Sequence, residues 1–160
     1  MIQNHKAVCF TGHRNIKKTA ELKKALIKQL VKLIDEGATD FYAGGAVGWD
    51  MLCEKAVIEL RERFPHIKLH LILPCSAEEQ TEKWSESDKA EFRRLLSAAD
   101  TVEICSEHYF DGCMKLRNQR LVNSADVCVC YYNGKQRSGT GQTVRMAERQ
   151  GKEIVNLVNA

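Results

Sequence analysis

The chain has 160 residues, 44% of them apolar and 28% charged, with a formal net charge of +3. That balance suits one compact domain, or one with a small appendage, and no low-complexity tract interrupts it. It leans too weakly basic to carry the electrostatic footprint of a nucleic-acid binder.

No segment approaches the roughly 18 consecutive apolar residues of a membrane span, so no membrane partner is expected. The opening MIQNHKAV lacks the apolar core of a signal peptide, and a cytoplasmic placement is expected. The seven cysteines are odd in number and mostly lie inside apolar runs, where cysteine behaves as a small hydrophobe. They read as reduced core thiols. Cys128 and Cys130 share a strand face, but a zinc site needs further ligands closing a tetrahedron.

In chain order, Lys6–Thr11 (KAVCFT) is a strand and GHRNIKK a polar loop. Ala20–Glu36 is helical, with Leu22, Ala25, Leu26, Leu30, Leu33 and Ile34 on one face at spacings of three and four. Asp40–Ala43 is the second strand, followed by the turn GGAVG. A helix then runs from about Trp49 to Arg63, with Leu52, Cys53, Ala56, Val57 and Leu60 inward. Lys68–Leu73 is the third strand, closed by Pro74.

The stretch from Ser76 is polar up to a helix at Asp88–Ala98 anchored by Phe92, Leu95 and Leu96. Thr101–Cys105 is a fourth strand whose alternation is broken by Glu103, so it is placed away from the centre. Cys113–Ser124 is a helix expected to turn Met114, Leu116 and Leu121 inward, with Asp111 as its cap. Val127–Tyr132 (VCVCYY) is apolar on both faces, as a central parallel strand should be. Thr140–Gln150 is the last helix and Glu153–Val158 the last strand.

Strands alternating with helices of about ten residues or more call for right-handed crossovers. The expected fold is α/β: a single Rossmann-like domain across residues 1–160, its mostly parallel sheet flanked by helices on both faces. Ligands of such sheets sit beyond the carboxyl ends of the strands, where strand order switches. Four loops there have unusual composition.

The first is Thr11-Gly12-His13-Arg14. Gly12 lets backbone approach a ligand, His13 can hydrogen-bond, and Arg14 can pair with phosphate; a solvated turn is the plainer reading. The second is Gly44-Gly45-Ala46-Val47-Gly48 with Trp49 and Asp50. Strand, glycine turn and helix start form an anion-binding arrangement, although G-x-G-x-x-G is not matched. Asp50 reads as a first-turn charge, a ligand of a ribose hydroxyl or the holder of a basic partner. Trp49 either stacks on a base or packs over the sheet.

The third loop leads to Arg117, Asn118 and Arg120. Arg117 and Arg120 share a helix face from which an arginine reaches phosphate or water. The fourth is GKQRSGTGQTVRMAE, residues 134–148. Gly139, Thr140, Gly141 and Thr143 open a helix after the central strand, where free N–H groups and hydroxyls can hold an anion. No Walker A sequence, G-x-S-x-G elbow, HExxH or aspartate cluster is present, so no cofactor and no metal is expected. Glu78, Glu79 and Glu82 lie near Trp84 after the third strand; a solvated helix start is the plainer reading.

FTGHR, GGAVGWDMLCEKA, YFDGCMKLRNQRLVNSAD and the glycine–threonine loop together resemble the small YoqJ/YpsA-like proteins of bacteria and phages. These belong to the SLOG superfamily, with the LOG phosphoribohydrolases and the Rossmann core of the DNA-processing protein DprA. The resemblance spans nearly the whole chain. It implies a Rossmann-like domain that binds a nucleotide or nucleotide-derived ligand, in a sensor or effector of stress or phage conflict.

LOG enzymes carry P-G-G-x-G-T-x-x-E, whose glutamate takes part in N-glycosidic hydrolysis. Laid over this chain, its glycines fall at Ser138, Gly139 and Gly141, its threonine on Gln142 and its glutamate on Arg145. Arg117 stands near the place of a LOG arginine that helps hold phosphate and sugar. Glu148 lies three residues on, about 4.5 Å farther from the loop.

Binding is therefore the leading expectation, through Gly44, Gly45, Gly48, Gly139, Thr140, Gly141 and Thr143, with Arg14 and Arg117 neutralising charge and Trp49 or Trp84 covering a base. The alternative is hydrolysis of an N-glycosidic bond in a nucleotide or ADP-ribose-like molecule, with Asp50, Glu78 and Glu79 as conceivable carboxylates. The third reading, single-stranded nucleic-acid binding by analogy with DprA, draws charge from Lys17, Lys18, Lys23, Lys24 and Lys28, which acids nearly cancel; nucleic acid is not expected as a partner. A homodimer is open.

Overall fold

A computed structural model of the chain describes residues 6–17 and 19–160. The opening residues of MIQNHKAV and Lys18 lie outside the described residues. Six strands form one sheet in the order β4-β3-β2-β1-β5-β6, and every neighbouring pair is parallel. The strands are β1 Lys6–Gly12, β2 Ala38–Ala43, β3 Lys68–Leu73, β4 Thr101–Ile104, β5 Val127–Tyr131 and β6 Glu153–Asn156. The helices are α1 Ala20–Asp35, α2 Trp49–Leu60, α3 Ala77–Thr81, α4 Glu86–Ala98, α5 Cys113–Asn123 and α6 Gly139–Arg149. The expected α/β class holds.

Parallel strands need long crossovers, and these lay helices on both faces. Alternation along the strands separates two cores. Val8, Phe10, Phe41, Leu69, Leu71 and Val129 face α1, α2 and α4. Cys9, Cys128 and Cys130 face the other way, toward Leu121 and Val122 of α5 and Val144 and Ala147 of α6. All seven cysteines are free thiols, six of them buried.

The chain builds β1 to β4 outward in one direction, then returns to lay β5 on the other side of β1. The switch in strand order therefore lies between β1 and β5, and their carboxyl ends open the crevice that ligands of such sheets occupy. VCVCYY is central, between β1 and β6, as its two apolar faces require. β4 is an edge strand with all four residues exposed, in keeping with Glu103.

Two expectations for α5 fail. Met114 and Leu116 are 43% and 38% exposed and do not point inward. The buried face of α5 is instead Cys113, Arg117, Asn118, Leu121 and Val122. A guanidinium and an amide occupy the stripe that apolar spacing assigned to methionine and leucine. Asp111 is not the cap either: Gly112 is, at φ +96° and without a side-chain hydrogen bond.

Candidate functional site

The crevice between the ends of β1 and β5 has a volume of about 300 Å³. Its walls are Phe10, Thr11, Gly12, His13 and Arg14 from the end of β1, Ala46 and Asp50 from the turn into α2, Met114, Arg117, Asn118 and Leu121 from α5, and Ser138, Gly139, Thr140 and Gln142 from the start of α6. Three of the four loops singled out in the sequence thus meet α5 around one space.

The start of α6 is built to stay open. Ser138 is the N-cap, its Oγ accepting from the Gly141 N–H at 2.9 Å and donating to Lys135 O at 2.7 Å. The Gln142 N–H donates to Ser138 O. A helix leaves its first N–H groups without intrahelical partners. Here those of Gly139 and Thr140 make no hydrogen bond among the described residues. They carry the positive end of the helix dipole. A Cβ on Gly139 would meet nothing within 4 Å, so this glycine borders open space.

The Gly44–Gly48 turn is the opposite case. A Cβ at Gly44 would lie 2.3 Å from Arg117 Nη1, and one at Gly48 would lie 2.2 Å from the Arg14 carbonyl oxygen. Gly48 also sits at φ +92°, where L side chains are strained. At Gly45 the space is taken by Leu73, with Phe92 close by, and Gln80 Nε2 donates to its carbonyl at 3.2 Å. These glycines are small to admit the protein's own atoms. They are buried, and none lines the crevice. Gly12, although at its wall, lets the Trp49 indole approach to 2.3 Å of where a Cβ would be.

Trp49 is fully buried under that glycine, and its Nε1 donates to Val129 O at 3.4 Å. It packs over the sheet and is not available to stack on a base. Thr143 is fully buried, and its hydroxyl donates to Gly139 O at 2.9 Å. Gly141 is buried against the carbonyls of Gln136 and Lys135. The structure thus sets Trp49, Thr143 and Gly141 behind the site. Arg14 is exposed at the mouth, its guanidinium 5.9 Å from the Trp84 ring centroid. His13 ties two loops together: the Asn133 N–H donates to its Nε2 at 3.1 Å.

Arg117 is only 5% exposed. Its Nη1 donates to Gly44 O at 2.6 Å and its Nε to Asn118 Oδ1 at 2.9 Å, so two sides of the fork hold the protein itself. Burial lowers its proton affinity, and the nearby Asp50 charge restores part of it. Asp50, in the first turn of α2, is 5% exposed and accepts from the Ala46 N–H at 3.2 Å. Burial pushes its carboxyl up to about 6, against the pull of Arg117 and the backbone amides of Ala46 and Gly44.

Beneath it lies a residue the sequence reading passed over. Glu54 is fully buried, and neither carboxylate oxygen has a hydrogen-bond partner. Burial and the Asp50 charge hold it well above the usual carboxylate range, which favours its protonated form. The signal was the spacing: Asp50 and Glu54 are four apart and share the helix face of Cys53 and Val57.

Glu78 and Glu79 do not join the site. Both are exposed on α3 and neither lines the crevice. Glu79 accepts from the Tyr109 N–H and pairs with His108 Nδ1 at 2.9 Å. These bonds lower the Glu79 pKa and raise that of His108. The pair braces α3 against the loop after β4. Of the three carboxylates considered for hydrolysis, only Asp50 faces the space.

Among the described residues no helix is long and apolar enough to cross a membrane. The profile of the YspA SLOG family (YpsA) matches residues 7–158. The UPF0398 protein BH1768 of Halalkalibacterium halodurans is 27% identical over 144 residues, covering 89% of this chain and 74% of that one. A UPF0398 protein of Bacillus cereus is 26% identical over 137 residues, covering 84% and 73%.

Among solved structures, DNA processing protein A from Helicobacter pylori superposes with a TM-score of 0.65 at 20% identity, over 93% of this chain. This chain spans 63% of that one's length. The structural-genomics target TM1055 superposes with a TM-score of 0.57 at 18% identity, covering 96% and 78%. The Helicobacter protein is described by its single-stranded DNA binding mode. The expectation that nucleic acid is no partner is corrected by this likeness. It rested on a net charge of +3, and a sum over the chain does not report how cations are arranged locally.

Proposed function

The chain belongs to the YspA SLOG family, and from that premise we propose that it binds a nucleotide or nucleotide-derived ligand in the crevice between β1 and β5, through an anionic group held at the start of α6. The observation that carries this reading is the pair of free N–H groups on Gly139 and Thr140, at the head of an 11-residue helix that opens on the crevice. Free amides and the helix dipole together favour an anion there. Asn118 supports it. This residue is 7% exposed, spends its Oδ1 on Arg117 and keeps its amide nitrogen free of hydrogen bonds among the described residues. Arg117 adds a buried positive charge at the same wall.

The ligand is read mainly at its phosphate and sugar. With Trp49 sealed in the core, the apolar wall consists of Phe10, Met114 and Leu121. A volume of about 300 Å³ suits one nucleotide-sized moiety. Thermal melting in the presence of AMP, ATP and ADP-ribose tests the proposal. A ligand that binds only the folded state raises Tm with concentration. A Tm that stays fixed with all three up to millimolar concentration contradicts the proposal.

A second reading follows from the likeness to the Helicobacter protein: the same cradle takes a phosphate of single-stranded DNA. Arg14 and Lys17 are exposed beside the mouth and Lys135 and Arg137 before α6, which gives a strand further contacts. Binding of a fluorescent oligonucleotide that falls steeply with salt and is competed by AMP favours it.

A further inference from the structure

We propose, resting on the anion cradle above, that anion binding in the crevice is linked to protonation of Asp50: the carboxylate that faces the site enters the complex as a neutral acid. The crevice holds two opposed features. Gly139, Thr140 and Asn118 offer donors to an anion, yet Asp50 lines the same space and is nearly sealed from water. Asp50 and the donors of Gly139, Thr140 and Asn118 line one space of about 300 Å³, and two negative charges shielded from water there repel more strongly than in bulk solvent.

The charges around Asp50 cannot absorb a further anion. From α5, Arg117 is the cation that sustains the Asp50 charge, and its Nε and Nη1 are already bonded to Asn118 and Gly44. From α2 itself come Glu54, one turn deeper and held well above the usual carboxylate range by burial, and Cys53. From β5 comes the Cys128 thiol. From the end of β1, His13 and Arg14 line the mouth, with Arg14 exposed to water. Arg117 and a charged Asp50 sum to zero. An arriving dianion shares Arg117 with Asp50 and leaves the buried cluster two charges in excess, and one proton relieves half of that. In the free protein burial already pushes the Asp50 carboxyl up to about 6. A bound anion raises its proton affinity by about tenfold or more.

Sulfate is the probe, because it does not titrate between pH 6 and 9. Its binding is followed by the amide NMR shifts of Gly139 and Thr140 at constant ionic strength, in the wild type and in Asp50→Asn. The wild-type Kd is expected to rise about threefold or more from pH 6.5 to pH 8.5. Asp50→Asn, a mimic of the neutral acid whose Oδ1 still accepts from Ala46, is expected to show a flat profile and to bind sulfate several-fold more tightly than wild type at pH 7.5.

Saturable shifts with a pH-independent wild-type Kd overturn the proton linkage and leave the anion cradle standing. Weaker sulfate binding by a folded Asp50→Asn does the same. Absence of any shift at Gly139 and Thr140 overturns the cradle and the linkage together. Should the variant fail to fold, the side-chain carboxyl carbon resonance of wild-type Asp50 decides. Its titration midpoint must move up on adding sulfate, and an unmoved midpoint overturns the linkage.

Discussion

The turns at Gly44–Gly48 and at Gly134–Gly141 look alike in sequence: a strand, glycines, then a helix. In the structure they have opposite uses. The first is filled by the protein's own atoms, with Arg117 at Gly44, Leu73 at Gly45 and the Arg14 carbonyl at Gly48. The second leaves Gly139 against open space, with two free amides behind it. Glycine richness before a helix therefore carries two meanings. It marks either a place where backbone and side chains pack closer than a Cβ allows, or one where a ligand can reach the helix end. What separates them is the identity of the neighbour, which only the fold supplies.

The contrast can be broken most forcefully at Gly48. Gly48→Ala combines a left-handed φ of +92° with a contact 2.2 Å from a backbone oxygen. It is expected to lower unfolding free energy by about 3 kcal/mol or more, read from urea denaturation. Gly44→Ala pushes on the Arg117 guanidinium and the 2.6 Å bond it makes to Gly44 O. The expected loss is about 1–3 kcal/mol by the same measurement. A loss of under 0.5 kcal/mol at both sites would mean that the turn is not filled as described.

Glu54 sharpens the same region through pH. Its folded pKa is raised well above the usual value, while the unfolded chain releases that proton near pH 4.3. The folded form thus holds a proton that the unfolded form has lost, and the stability from this group is complete below that pH and falls as pH rises. Asp50 acts in the same direction between its ordinary value and about 6. Glu54→Gln removes the titration. Its stability relative to wild type is expected to grow by up to about 1.4 kcal/mol per pH unit above pH 5, until the folded-state pKa is passed. A constant difference from pH 5 to 8 would show that Glu54 is ionised in the fold. The smallest effect belongs to Glu79→Gln. This residue lies outside the crevice, and nucleotide affinity should be unchanged in calorimetry.

Much of the architecture was legible because it rests on periodicity. Leu22, Leu26, Leu30 and Leu33 mark a helix face at spacings of three and four, and VCVCYY could only be a strand buried on both faces. The region of the crevice was legible in outline, since ligands of such sheets sit beyond the strand ends, but the switch between β1 and β5 needed the strand order. Side-chain roles were not legible. Trp49, open in the sequence between stacking on a base and packing over the sheet, is drawn into the core because Gly12 leaves room for it, a pairing 37 residues apart in the chain.

Met114 and Leu116 fit an inward apolar stripe, but α5 spends that stripe on Arg117 and Asn118, which face Gly44 and the crevice. Glu54 was hidden by its type. A glutamate in a helix reads as solvated unless something shows that its face is the buried one. Glu78 and Glu79 fell near the crevice in sequence, and the turn of α3 carries them onto its outer side.

The most direct test of the open cradle is Gly139→Pro. Position 139 is the first of α6, where a proline is tolerated because the lost N–H has no helical partner. Ser138 before it is already extended, at φ −120° and ψ 159°, as a residue preceding proline must be. The variant deletes one cradle amide and little else. Calorimetric titration with whichever of AMP, ATP or ADP-ribose raises the wild-type Tm should show affinity reduced by about tenfold or more, with the Tm of the free protein within about 2 °C of wild type. Unchanged affinity in a variant of unchanged Tm would contradict the central claim that the start of α6 holds the anion.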